Sequence, residues 1–167
     1  LDDSVSSGGQ MLVFVNSRAS AQKEARELSK HVRKQLTTDS MRYSAELAEE
    51  WDNLAEKMTR REDASVMGRA LAKAIRGGVA FHHAGLNHTQ RKTVEEAFRE
   101  GILLGIVATP TLAQGVNLPA RRVIIRDHRR WSSAGGGSMP LPVMEIRQML
   151  GRAGRPKYDD AGDAWIL

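Results

Sequence analysis

Gln148, Arg152 and Arg155 in the string QMLGRAGRP (148–156) stand at offsets of zero, four and seven, with Gly151 and Gly154 between them. On a helix of about 3.6 residues per turn, those offsets fall on one face. Two guanidinium groups there form a fork of planar donors suited to bidentate contact with phosphate, and neighbouring glycines let another surface approach the backbone. The bland alternative is a pair of solvated arginines at a helix end. Charge distribution favours the anion. The chain carries a net charge of +5, and residues 121–157 hold nine basic side chains against Asp127 and Glu145, leaving 16 basic and 18 acidic residues elsewhere. A positive surface confined to the last quarter of a near-neutral chain points to an anionic partner.

Other polar clusters close apolar runs. Asn16, Ser17 and Arg18 follow MLVFV (11–15), His83, Ala84 and Gly85 end GVAFHH (78–83) and begin the next turn, and TPTLAQGVN (109–117) follows ILLGIVA (102–108). Short continuous apolar runs ending in polar residues are the pattern of strands buried on both faces. RRVIIR (121–126) and DAWIL (163–167) add two more. Between them, 19–36 repeats Ala21, Ala25, Leu28, Val32 and Leu36 at helical steps. The segment 41–76 continues in helical composition, with Leu47, Trp51, Leu54 and Met58 on its apolar face. Asn87 and Gln90 form a capping-box pattern before Val94, Ala97 and Phe98, Gly101 closes that helix, and a short helix is expected at 143–151. Met58, Met67, Met144 and Met149 read as core or helix-face residues.

Strands alternating with helices predict an α/β fold, a mainly parallel sheet covered on both faces, with ligands met at the carboxyl ends of the strands. The three polar loops and the arginine-bearing segment are expected to share that edge. Residues 1–10 read as a polar lead-in and 11–167 as one domain. With no cysteine there are no disulfides or thiolate metal sites; His82 and His83 lack spaced partner ligands, so no metal site is expected, and one of the two should pack inward while the other is exposed. No apolar run approaches the roughly 20 residues that span a bilayer, and a cytoplasmic location with no membrane partner is expected. A dinucleotide-binding dehydrogenase fold is excluded because no G-x-G-x-x-G follows a strand.

In order, VFVNSR (13–18), FHHAGL (81–86), ATPTLAQGVNLPAR (108–121) and QMLGRAGRP (148–156) resemble the motifs of the second RecA-like domain of superfamily-two helicases, in the Ski-like branch. The strings TPTLAQGVNLPARRVIIRD and EIRQMLGRAGRPKYD look closest to the archaeal DNA helicases of the HELQ-like group, which act at stalled replication forks. The match covers nearly the whole chain. No G-x-x-x-x-G-K-[ST] loop and no DExH string occur in it. The resemblance therefore implies half of an ATPase cleft, monomeric, whose partner is the first RecA-like domain of the same parent chain. That absent domain would hold most of the ATP and Mg²⁺.

By the same resemblance, Arg155, with Arg152 beside it, reaches the γ-phosphate, Gln148 lines the cleft edge, and Gly115 and Asn117 touch the nucleotide ribose. Asn117 departs from the aspartate of DEAD-box relatives. Asn16, Ser17, Arg18, His83, Ala84, Gly85, Thr109 and Thr111 match positions that grip the backbone of single-stranded DNA at the other end of the domain. RDHRRWSSAGGGSMPLPV (126–143) occupies the place of a β-hairpin that pries a fork apart, with Arg129, Arg130 and Trp131 meeting the opened bases. The implied activity is an ATP-dependent 3′-to-5′ DNA helicase of fork repair in the full-length parent. The alternatives are a Ski-like RNA helicase domain and a non-catalytic nucleic-acid-binding module.

Overall fold

Four apolar runs and a largely exposed fifth become the strands of one sheet. In the computed structural model, which describes residues 9–38, 45–60, 65–132, 136–155, 159 and 161–167, these are β1 (Met11–Phe14), β2 (Val79–His82), β3 (Gly105–Ala108), β4 (Arg122–Ile125) and β7 (Asp163–Ile166). They lie in the order β2-β3-β1-β4-β7, every neighbouring pair parallel. β1, β2 and β3 are buried at every position, as strands covered on both faces must be. β7, the edge strand, exposes Trp165 and Ile166.

The helices α1 (Arg18–Thr38), α2 (Ala45–Lys57), α3 (Val66–Ile75) and α4 (His88–Arg99) carry the expected faces inward. Ala21, Ala25, Val32, Trp51, Leu54, Met58, Val94, Ala97 and Phe98 are buried, each large apolar side chain contributing about 1.5–3 kcal/mol. The segment 41–76 divides into α2 and α3, and residues 41–44 and 61–64 of the expected helix lie outside the described residues, as do 1–8 of the lead-in. Asn87 caps α4: its side chain accepts from Gln90 N–H at 2.8 Å while the Gln90 side chain accepts from Asn87 N–H at 3.1 Å. Trp51 Nε1–H donates to Ile102 O at 2.7 Å, and its ring lies over Gly78, whose φ of +67° and lack of a side chain admit the contact. Of the methionines, Met58 and Met149 are buried and Met144 is exposed.

One element departs from the sequence reading: TLAQG, read as loop, forms a short helix α5 (Thr111–Gly115). α6 (Val143–Leu150), capped by Gly151, stands where the short helix around 143–151 is expected. Within 126–143, β5 (Arg129–Ser132) and β6 (Gly137–Pro140) form a separate antiparallel two-stranded ribbon, Arg129 opposite Pro140 and Trp131 opposite Ser138. Both strands are edges, which accommodates a proline lacking a ladder donor. The ribbon's 133–135 lie outside the described residues. No helix among the described residues is long and apolar enough to cross a membrane.

Candidate functional site

β1 sits at the switch point of the sheet, with β3 on one side and β4 on the other, so the chain segments leaving their carboxyl ends diverge there and leave a crevice. A cavity of ≈ 470 Å³ opens at this edge, lined among others by Asn16, Ser17, Arg18, Ala84, Thr109 and Thr111. Gln114, Arg130 and Glu145 also line it, three polar groups the sequence reading did not single out for this edge or, for Arg130, placed only in the ribbon. Thr109 and Thr111 hold their hydroxyls 3.0 Å apart. Ser17 Oγ accepts from Ser20 N–H at 3.1 Å and so caps α1, while Arg18 projects exposed from the first turn. Hydroxyls, the amides of Asn16 and Gln114 and the guanidiniums of Arg18 and Arg130, gathered round one cavity, suit a backbone of phosphates read without regard to sequence.

The ribbon is fastened to this edge at its root. Asp127 accepts from Asn16 N–H at 3.0 Å and from the Arg126 guanidinium through both oxygens, at 3.0 and 2.9 Å. Arg126 also meets Glu24 of α1, and Asn16 Nδ2 donates to Arg129 O at 3.1 Å. Burial acts to raise the Asp127 carboxyl, but the hydrogen bonds from Arg126 and Asn16 outweigh it and hold the group below its usual range. Trp131 is 76% exposed, and Arg130 pairs with Glu145 of α6 at 3.2 Å. The Arg126–Asp127 clamp was missed because adjacent opposite charges after a strand look like ordinary surface.

Neither histidine is exposed, contrary to the expected one-in, one-out arrangement. His82 Nε2 lies 2.9 Å from Glu95 Oε1, and His83, wholly buried, stacks on Phe81 at a centroid distance of 5.2 Å. His83 Nδ1 accepts from Gly85 N–H at 3.1 Å, so the ring shapes the Ala84–Gly85 turn rather than facing the crevice. Burial lowers both imidazoles, for His82 against the opposing pull of Glu95, and for His83 with the Arg18 charge adding to the effect.

The arginines are where the helical reading fails. α6 ends at Leu150 with Gly151 as its cap, so Gln148 is on the helix and exposed, whereas Arg152 and Arg155 lie beyond it and the three do not share one face. Past the cap the chain runs beside Ala120: Ala120 N–H donates to Arg152 O at 2.9 Å and Gly154 N–H to Ala120 O at 2.7 Å, with Gly154 at φ +91°. A bridge to a residue 33 positions away, together with a left-handed glycine, outcompetes another helical turn. Gly162 crosses directly against Gly154, and a Cβ on Gly162 would run into that backbone.

Since Ala120 precedes β4, this segment lies at the amino end of β4 and not on the edge shared by the three polar loops, which corrects the expected single working edge. Arg152 reaches back toward α5, its Nη1 donating to Asn117 Oδ1 at 2.7 Å and its Nη2 to Ala113 O, with Nε enclosed and without a partner among the described residues. Gly115 is exposed at the end of α5. Arg155 is held by Asp159, through Nη2 at 2.7 Å, Nε at 2.9 Å and its own N–H at 2.9 Å, and Arg121 stands 3.9 Å from the same carboxylate. The Arg155 hydrogen bonds, led by its side chain, hold the Asp159 carboxyl below its usual range. Pro156 and Lys157 lie outside the described residues.

The family model for the helicase conserved C-terminal domain matches residues 56–157. The chain is 48% identical over 165 residues to an ATP-dependent DNA helicase Hel308 of Pyrococcus horikoshii, 44% to that of Methanocella arvoryzae and 43% to that of Pyrobaculum calidifontis. Each alignment covers 99% of this chain and 21–22% of the relative, so the chain spans about a fifth of the length of the curated relatives it matches.

Proposed function

This chain belongs to the helicase conserved C-terminal domain family, and from that premise we propose that it is the second RecA-like motor domain of an ATP-dependent 3′-to-5′ DNA helicase that opens forked DNA in repair. The observation that carries the reading is the convergence of the loops after β1, β2 and β3 on one crevice, with a basic ribbon rooted beside it. Single-stranded DNA lies along Asn16, Ser17, Arg18, Ala84, Gly85, Thr109 and Thr111, with His83 holding the turn. Binding there tolerates any sequence and weakens with salt.

The nucleotide cleft is completed elsewhere on the domain. Bound ATP with Mg²⁺, held mainly by the first RecA-like domain of the parent chain, supplies the phosphoryl group whose transfer drives the cycle. The residues present fit the far wall of such a cleft: Arg152, Gln148 and Asn117 offer donors, and Arg152 keeps an enclosed Nε without a partner among the described residues. An arginine that stabilises charge growing on phosphoryl oxygens is worth roughly 10³–10⁵ in rate. Arg152 is tied to two neutral acceptors, which are cheaper to exchange than the carboxylate that holds Arg155. Arg152 therefore swings to the γ-phosphate more readily, and Arg155 joins it by trading Asp159 for phosphate. Trp131 of the ribbon stacks on an opened base, worth about 1–3 kcal/mol, against an average of about 1.4 kcal/mol to open a base-pair step.

The test uses the full-length parent protein. Arg152→Ala should cut DNA-stimulated ATP hydrolysis by about 10³-fold while leaving affinity for a single strand within about threefold. Unchanged hydrolysis would remove Arg152 from the cleft; absence of any hydrolysis in the unaltered protein would leave a passive binding module; and stimulation by RNA but not DNA would move the protein to the RNA-acting branch.

A further inference from the structure

A second basic concavity lies outside the crevice. The amino-terminal half of α1 and the length of α3 run side by side over β2 and enclose a groove of ≈ 680 Å³. Its rim carries Lys23 and Arg26 from α1 and Arg69 and Lys73 from α3, all exposed, and its floor is apolar, with Phe81 of β2 beneath and Val66 at one end. Among the described residues no carboxylate lines it. That is unexpected by composition, because outside residues 121–157 acids outnumber bases 18 to 16. The two nearest acids in sequence do not line the groove: Glu24, beside Lys23, pairs with Arg126, and Glu27, beside Arg26, meets Arg26 Nε at 3.4 Å and Lys30 at 3.0 Å.

The groove adjoins the crevice on α1, where Ala19 lines the one and Arg18 the other, and four residues link the two beneath the surface. Gln22, which lines the groove, lies 3.2 Å from His83 Nε2; His83 Nδ1 takes the N–H of Gly85; and Gly85 packs beside the Arg18 side chain, which lines the crevice. Lys23 and Arg26, three residues apart on α1, and Arg69 and Lys73, four apart on α3, each cover about one turn, roughly 5–6 Å along the helix, the reach of about two successive backbone phosphates. An acidic peptide would match the charge but not the continuity with the crevice.

We propose that the α1–α3 groove is a second nucleic-acid contact, taking the phosphate backbone of the strand as it leaves the crevice past Arg18, with Lys23, Arg26 and Lys73 as its phosphate ligands. The proposal rests on the strand-binding reading of the crevice. It enlarges the footprint of the domain by about two nucleotides without adding sequence preference.

The test combines Lys23→Gln, Arg26→Gln and Lys73→Gln in the full-length protein and measures binding of a fluorescent dT6 and a dT20 against salt. All three sites are exposed, so the fold should be kept, which far-ultraviolet circular dichroism and a melt within about 2 °C of the parent would verify. For dT20 the triple variant should bind on the order of tenfold more weakly at low salt, with a log–log salt slope shallower by about 2; dT6, filled by the crevice alone, should bind as before. Equal dT20 affinity and slope in both proteins overturns the groove and leaves the crevice standing. Failure of the unaltered protein to bind either oligonucleotide overturns the crevice itself. A labelled oligoglutamate that binds the parent and is lost in the variant, while dT20 binding is unmoved, overturns the proposal in favour of an acidic protein partner.

Discussion

Replacing Asp159 by Asn removes one charge from the lock on Arg155 while keeping its shape. Asp159 accepts three hydrogen bonds from Arg155, at 2.7, 2.9 and 2.9 Å, and its side chain is 1% exposed. Hydrogen bonds to charged groups are worth about 1.5–3 kcal/mol net, and stripping a partner from a deeply buried pair costs about 3–5 kcal/mol. The Arg155 side chain keeps 18% of its surface exposed, so water screens the pair, and asparagine still accepts from the Arg155 N–H. The low end applies, about 1.5–2 kcal/mol, or a fall in Tm of roughly 3–8 °C for a chain of this size. The assay is thermal unfolding followed by circular dichroism at pH 7 and again at pH 3. Because the folded carboxyl is held below its unfolded value, its contribution is present above about pH 3.9 and is lost as pH falls through the folded value. The gap between parent and variant should therefore narrow at pH 3. A variant that melts within 1 °C of the parent at pH 7, or a gap just as wide at pH 3, would refute the lock.

Two further outcomes follow from the packing of β2 and α4. His82 and His83 are held below their unfolded value near 6.5, so the stability they protect is complete above about pH 6.5 and declines as pH falls through their folded values; a chain with His83→Asn should show a shallower acid loss in the Tm–pH profile. Asn87→Ala removes the acceptor for Gln90 N–H and should cost about 1 kcal/mol, read as a fall of roughly 2–4 °C in the same melt.

The parallel sheet was legible because burial on both faces leaves unbroken apolar runs, and the capping box at Asn87 because its two hydrogen bonds are local. What escaped depends on residues far apart in sequence. The end of α6 is decided by Ala120 and by Gly162, neither of which periodicity around 148–155 can reveal. His83 looked like a loop residue open to solvent, and its burial comes from Phe81, two positions back on the same face of the strand, and from Gln22 on a distant helix. α5 escaped for the opposite reason: five residues are too few to show a period. The α1–α3 groove joins residues some fifty positions apart, and each of its cations alone reads as a solvated helix face.

At the crossing of Gly154 and Gly162 two bare backbones lie in van der Waals touch, with no side chain to cushion them, and Arg122 fastens the same place by its 2.8 Å bond to Asp163. Any sideways shift at the start of β7 must therefore be accommodated at Gly154, two residues from Arg152.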